Sequence, residues 1–259
     1  MLKPISLILV ILFSCSLADA EKKRPPNVPE FPEITARGRM LAEYLAAAAR
    51  AKEAVKSMAP ARGSVTHYIA QKGDSGWVVA SGRYNDKGDQ FLVVYEATQG
   101  ADQEFTVKQY DPPREDTGFY FRAARALDTA FGDFQGEKRP YVSAVLPAGS
   151  NQMYVYILPA QTSAGVYLLG GDVRYLVSSD GSKIVEKRQL HKAILEFRAG
   201  TNPPGITLAA GSHSHVLSDV PEDTDVAYVL TRRPSVPEYI GGNGPIYKIL
   251  EDGTILRTE

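Results

Sequence analysis

Between positions 40 and 55 the residues Met40, Leu41, Tyr44, Leu45, Ala48, Ala51, Ala54 and Val55 recur at intervals of three and four, and no Gly or Pro interrupts the run after Gly38. That spacing predicts a long amphipathic helix ending before Pro60. Directly after it the period changes. Residues 65–71, 76–84 and 90–98 read as strands, with a fourth over 104–110, and Gly73-Asp74 and Asp86-Lys87-Gly88 sit between them as hairpin turns. A helix with one apolar stripe followed by short antiparallel strands has one simple solution, the helix lying across the meander. His67 and Trp77 fall in these strands and are expected to be packing or surface residues.

The segment Asp111-Pro112-Pro113-Arg114-Glu115-Asp116 breaks the pattern and is expected to separate two domains, 35–113 and 114–259. A second helix follows, with Phe119, Phe121, Ala123, Ala124, Ala126, Leu127, Ala130 and Phe131 on its apolar side and Asp116 or Thr117 as its cap. Strands are expected over 141–146, 152–158, 172–178, 183–190 and 206–215. A short helix over 221–232 and a hairpin of 246–250 with 254–257 close the chain. The fold class is α+β.

Residues 1–20 have the layout of an export signal: Lys3, an apolar run over 5–13, and Ala18-Asp19-Ala20 at the cleavage position. The only cysteine, Cys15, lies inside it, so cleavage after Ala20 leaves no thiol. Leu12-Phe13-Ser14-Cys15 is also similar to a lipoprotein signal, which makes lipidation at Cys15 the only expected link to a membrane. Pro25, Pro26, Pro29 and Pro32 make 21–34 a proline-rich, extended tether. The formal net charge of −1 offers no field for nucleic acid, so no nucleic-acid partner is expected. An exported chain of this kind is expected to meet a protein or peptide partner.

The chemistry concentrates near the C-terminus. Ser212-His213-Ser214-His215 places two of the four histidines at i and i+2 of a strand, on one side, and the acidic run Pro221-Glu222-Asp223-Thr224-Asp225 follows at a helix start. Two imidazoles and a carboxylate suit zinc, so His213, His215 and Asp225 are the expected ligands. The acidic run has a second reading, as carboxylates capping the helix N-terminus. His191, among Lys187, Arg188 and Lys192, reads as a surface residue that would approach the pair only if its strand lay beside theirs. Glu186 reads as part of a solvated strand face. No nucleophile elbow or phosphate-binding loop occurs.

The order of helix, strands, His-x-His and acidic helix start over 114–259 resembles the JAB/MPN metallopeptidase superfamily. In that superfamily an upstream Glu, two His, a Ser and an Asp form a zinc hydrolase. The resemblance implies His213 and His215 as ligands, with Asp225 near the Asp position. Aligning 222–225 puts Glu222 where the family has Ser and shortens the loop by one residue; aligning 220–223 puts Val220 there and makes Asp223 the ligand. The strands over 141–158 contain no Asp or Glu for the upstream base. A zinc-bound water needs such a base. The expected function is therefore a diverged module with a partial metal site and little or no hydrolysis, acting in binding or assembly at the cell envelope. A zinc-dependent peptidase or amidase is the alternative, and a structural protein without metal the second.

Overall fold

A computed structural model describes residues 29–200 and 207–258. The expected leader, Cys15 and most of the proline segment lie outside the described residues, as does the first residue of the strand expected over 206–215. The remainder is α+β, with one long helix, antiparallel meander sheets, and a C-terminal mixed sheet with its own helix.

Strand β1 (Pro29–Glu30) pairs with the last strand of the chain, and helix α1 (Pro32–Lys56) follows at once. The end of the expected tether is thus already structured. Pro32 occupies a first-turn position, where its missing N–H would have no intrahelical partner in any case, so a proline read as a helix breaker here begins the helix. Leu41, Tyr44, Ala47, Ala51 and Val55 form the buried stripe of α1.

Strands β2 (His67–Gly73), β3 (Gly76–Tyr84), β4 (Phe91–Gln99) and β5 (Phe105–Asp116) make the meander in sequence order. Its two faces serve two cores. Ala70, Val79 and Ala97 pack with α1, while Ile69, Ala80 and Val93 pack with helix α2 (Phe119–Asp133), as the two-residue side-chain period requires. Asp116 Oδ1 accepts the N–H groups of Gly118 and Phe121 at 3.1 and 3.0 Å and so holds the start of α2.

No break falls at 113/114. Strand β5 runs through Asp111–Asp116, and Pro112 and Pro113 are accommodated because β5 is an edge strand whose register shifts opposite Val93 and Tyr95. Both cores draw on each side of that position: Ala144, Leu146 and Tyr156 join the α1 core, and Val145, Val155 and Ile157 the α2 core.

Those residues come from β6 (Tyr141–Pro147) and β7 (Met153–Pro159). A separate two-stranded antiparallel sheet pairs β8 (Val166–Gly170) with β11 (Ile194–Arg198), neither of which the sequence predicts. Strands β9 (Val173–Val177) and β10 (Ile184–Gln189) complete a sheet of order β10-β9-β7-β6.

The C-terminal sheet has the order β1-β15-β14-β13-β12, from β12 (Gly211–Ser214), β13 (Glu238–Gly241), β14 (Tyr247–Ile249) and β15 (Ile255–Arg257). Strands β12 and β13 are parallel, and helix α3 (Asp223–Thr231) makes the crossover between them. Helix α3 lies against α1 at Gly38, where a Cβ would stand 2.4 Å from Val226 Cβ and 2.6 Å from the Asp223 carbonyl oxygen. This contact ties the first helix of the chain to the element that carries Asp225.

Candidate metal centre

Parallel pairing continues past the end of β12, since the His215 N–H donates to the Gly241 carbonyl oxygen at 2.7 Å. The backbone therefore stays extended from His213 to His215, and both imidazoles turn to one side, with their Nε2 atoms 3.2 Å apart. The crossover then delivers Asp225 at the third position of α3. Its Oδ2 accepts the Glu222 N–H at 2.6 Å, closing a capping box, and also stands 3.2 Å from His215 Nε2. Its Oδ1 is 3.1 Å from His213 Nε2. Capping and facing the histidines, alternatives in the sequence, are here two tasks of one carboxylate.

The fourth member is His191. Its Nε2 lies 3.0 Å from Asp225 Oδ1 and 2.9 Å from His215 Nε2. Donor atoms of His191, His213, His215 and Asp225 all fall within 4.8 Å of one another, and all four residues are buried, Asp225 completely. Such a group could hold a metal ion. A tetrahedral ion with bonds of about 2.0 Å separates neighbouring ligand atoms by roughly 3.3 Å; the contacts here span 2.9 to 3.2 Å.

His191 reaches the site because its residue follows β10, beside the start of β9. The Leu190 N–H donates to the Asp172 carbonyl oxygen at 3.1 Å, and His191 Nδ1 meets Asp172 Oδ1 at 2.8 Å. Gly170, at φ +87°, lets the chain pass: a Cβ there would stand 2.1 Å from the Ala193 carbonyl oxygen and 3.1 Å from His191 Cβ.

The outer nitrogens fix what the inner ones can do. His215 Nδ1 lies 3.0 Å from the Val220 carbonyl oxygen, which only accepts, so Nδ1 carries the proton. His213 Nδ1 donates to Glu238 Oε1 at 2.9 Å, and His191 Nδ1 to Asp172. In neutral rings all three Nε2 atoms are then bare lone pairs, converging on one another and on a carboxylate. That arrangement needs positive charge at its centre. Formally, Asp172, Asp225 and Glu238 carry three negative charges, and Arg232, bonded to Glu238 Oε2 at 2.6 Å, returns one positive. The two remaining negative charges match a divalent cation.

The same field acts on protons. Burial alone would depress the His191 imidazolium, but the charge of Asp225 and the hydrogen bond to Asp172 push it up to about 11. His213 is likewise opposed by burial yet raised to about 9 by Asp225 and Glu238. Burial would raise the Asp225 carboxyl, and the three imidazoles instead hold it well below the usual carboxylate range.

The other candidates fall elsewhere. Asp223 points away, accepting from Arg37 at 3.0 Å, Arg174 at 2.6 Å and Tyr156 at 2.8 Å, so Asp225 is the carboxylate that meets the histidines. Glu222 pairs with Arg188. Glu186 and Asp219 are exposed. Ser218 is occupied by the Val220 backbone. His67 sits between Thr66 and Asp128, remote in the fold from this cluster, in the first meander. A cavity of about 270 Å³ adjoins the cluster, lined by the three histidines, Leu169, Leu190 and Leu195 among others, with no carboxylate on its walls.

His191, which the sequence reads as a surface residue unless its strand lies beside that of the pair, belongs to the cluster, and the supporting Asp172 and Glu238 have no counterpart among the sequence candidates. Three of four histidines within a window from 191 to 215 was the one available signal for His191; the two supporting carboxylates carried none. The chain matches no protein-family model, and neither the curated proteins nor the solved structures provide a match.

Proposed function

We propose that this protein is a metal-binding module in which His191, His213, His215 and Asp225 hold one divalent ion, zinc being the best fit, and that the ion organises a binding surface rather than cleaving a substrate. The observation that carries this is the convergence of three lone-pair Nε2 atoms on Asp225, each imidazole being fixed from behind by an acceptor. Three imidazoles and one carboxylate, with donor atoms within 4.8 Å of one another, are a donor set suited to zinc, and the described residues contain no thiolate that would favour softer metals.

Hydrolysis would need a water on the ion and a base beside it. Four protein donors already fill a tetrahedral shell, and each nearby carboxylate has a partner: Glu222 pairs with Arg188, Glu238 with Arg232 and His213, Asp223 with Arg37 and Arg174, and Asp172 with His191. The passage of a His-x-His strand into a helix that carries the Asp ligand supports a diverged JAB/MPN-like origin for this part. The leader-like residues 1–20 support export and a role at the cell envelope. Val216 and Leu217, exposed immediately after His215, and Leu195 on the adjoining cavity give a protein or peptide partner an apolar contact beside the ion.

The test is metal analysis of untagged protein, with hydrolysis of a peptide library measured on the same sample. One zinc per chain and no chelator-sensitive cleavage is the expected result. Absence of bound metal after zinc reconstitution would remove the site, and cleavage abolished by His215→Ala would make the protein a peptidase.

A further inference from the structure

His67 lies in the first meander, away from the metal centre, and both of its ring nitrogens are engaged. Nε2 stands 3.0 Å from Asp128 Oδ1 of α2. A carboxylate only accepts, so Nε2 carries the proton and Nδ1 keeps a bare lone pair. That lone pair meets Thr66 Oγ1 at 2.8 Å, whereas the other acceptor for the hydroxyl, the Gly82 carbonyl oxygen, is 3.4 Å away. The Thr66 proton is therefore directed at the imidazole.

The three groups are held in place from several sides. The Thr66 N–H donates to the Gly82 carbonyl oxygen at 2.8 Å, which anchors the backbone just ahead of β2. The His67 ring stands edge-on to Tyr84 and Phe91, at centroid distances of 5.5 and 6.1 Å. Burial would raise the Asp128 carboxyl, but hydrogen bonds from His67 and the Tyr84 hydroxyl hold it below the usual carboxylate range. Only 13% of the His67 side chain is exposed, whereas Thr66 is open to solvent. A hydroxyl bonded to a neutral imidazole that a carboxylate orients is the arrangement that activates hydroxyl nucleophiles.

We infer that Thr66 is an acyl-acceptor site, taking a small acyl group from an activated ester or thioester, with His67 as general base and Asp128 positioning the ring. The Thr66 Oγ1–acyl bond forms as the donor's C–O or C–S bond breaks. The hydroxyl proton passes to His67 Nδ1 and then to the departing alkoxide or thiolate, leaving an O-acylated threonine and a free alcohol or thiol. Asp128 keeps its charge throughout and offsets that of the transient imidazolium. Thr98 and Thr106 provide a contrast within the chain. They face each other across β4 and β5, both are exposed, and neither hydroxyl is bonded to a described residue.

Brief exposure of the full chain to p-nitrophenyl acetate, followed by acid quenching and peptide mass spectrometry, reads the acetyl group carried by each hydroxyl. Ester hydrolysis elsewhere on the chain does not register. A positioned base is worth about 100-fold or more, so Thr66 acetylates at least about 100-fold faster than Thr98 or Thr106. His67→Gln, with circular dichroism verifying the fold, removes that advantage. Asp128→Asn keeps an oxygen for the ring without its charge and slows acetylation about tenfold or more, and Asp128→Glu restores it. Equal acetylation of the three threonines in the wild type, a result that needs no variant, would overturn the inference, as would a folded His67→Gln protein with the full Thr66 rate. An Asp128→Asn rate equal to that of wild type would overturn the part given to the carboxylate.

Discussion

Replacing His191 by alanine is the sharpest test of the metal centre, because this residue separates a four-donor shell from the three-donor shell that the His-x-His motif suggests by itself. Structural zinc sites bind with an apparent free energy of about 10–16 kcal/mol, or roughly 3 kcal/mol for each of four donors. His191 Nε2 contacts both Asp225 and His215 at ligand spacing, so its loss should cost about that share, weakening zinc by two to three powers of ten. Asp172→Asn provides the internal comparison. It keeps an oxygen for the His191 Nδ1–H but removes the charge behind the ring, and support of that kind is worth about 10- to 100-fold. Competition against a chromophoric chelator, with circular dichroism to verify folding, measures both. If His191→Ala and wild type give the same isotherm, His191 is not a ligand, and the shell shrinks to His213, His215 and Asp225.

At pH 7.5 His191 and His213, raised to about 11 and about 9, both carry an extra proton in the metal-free cluster, so zinc must displace two. Affinity should then rise about 100-fold per pH unit up to pH 9 and about tenfold per unit above it, and calorimetry in buffers of different ionisation enthalpy should count two protons released; a count of zero would contradict this. Free zinc at about 1,000 times its dissociation constant adds about 4 kcal/mol, which for a chain of this length raises Tm by about 8–16 °C, reversed by a chelator; a Tm indifferent to both would argue against a folded-state site. Gly38→Ala forces a methyl into Val226 and the Asp223 carbonyl and should cost about 1–3 kcal/mol or more in urea unfolding, whereas a change below about 0.5 kcal/mol would show that α1 and α3 do not cross so closely.

What was legible in the sequence depended on how local its cause is. The stripe of α1, the meander and α2 each follow from a period within one element, and all were placed to within a few residues at most ends. His213 and His215 share a side because of backbone geometry over three residues, and Asp225 follows them as the next helix begins. His191 depended on which strands are neighbours, a property of the whole sheet. Its charged surroundings also suggested solvent, yet Lys187 turns out to Asp133 and Arg188 to Glu222, leaving the imidazole to face inward. The prolines misled in a similar way. Pro32 and Pro113 lack donors at a helix start and on an edge strand, where none was required, and that depends on position in the fold rather than on the residue.

His191 and His215 stand 24 positions apart, and the chain between them carries both β11 and β12. An ion joining them would close that stretch into a ring only while the protein is folded, so it would stabilise through its binding free energy rather than, as a disulfide does, by restricting the unfolded chain. The bond differs from a disulfide in what undoes it. A reductant has no purchase on imidazole and carboxylate, whereas acid and chelators do. Loaded with metal, the cluster would therefore be a cross-link indifferent to redox state and keyed to metal supply, in a chain whose one cysteine lies at position 15 of the sequence.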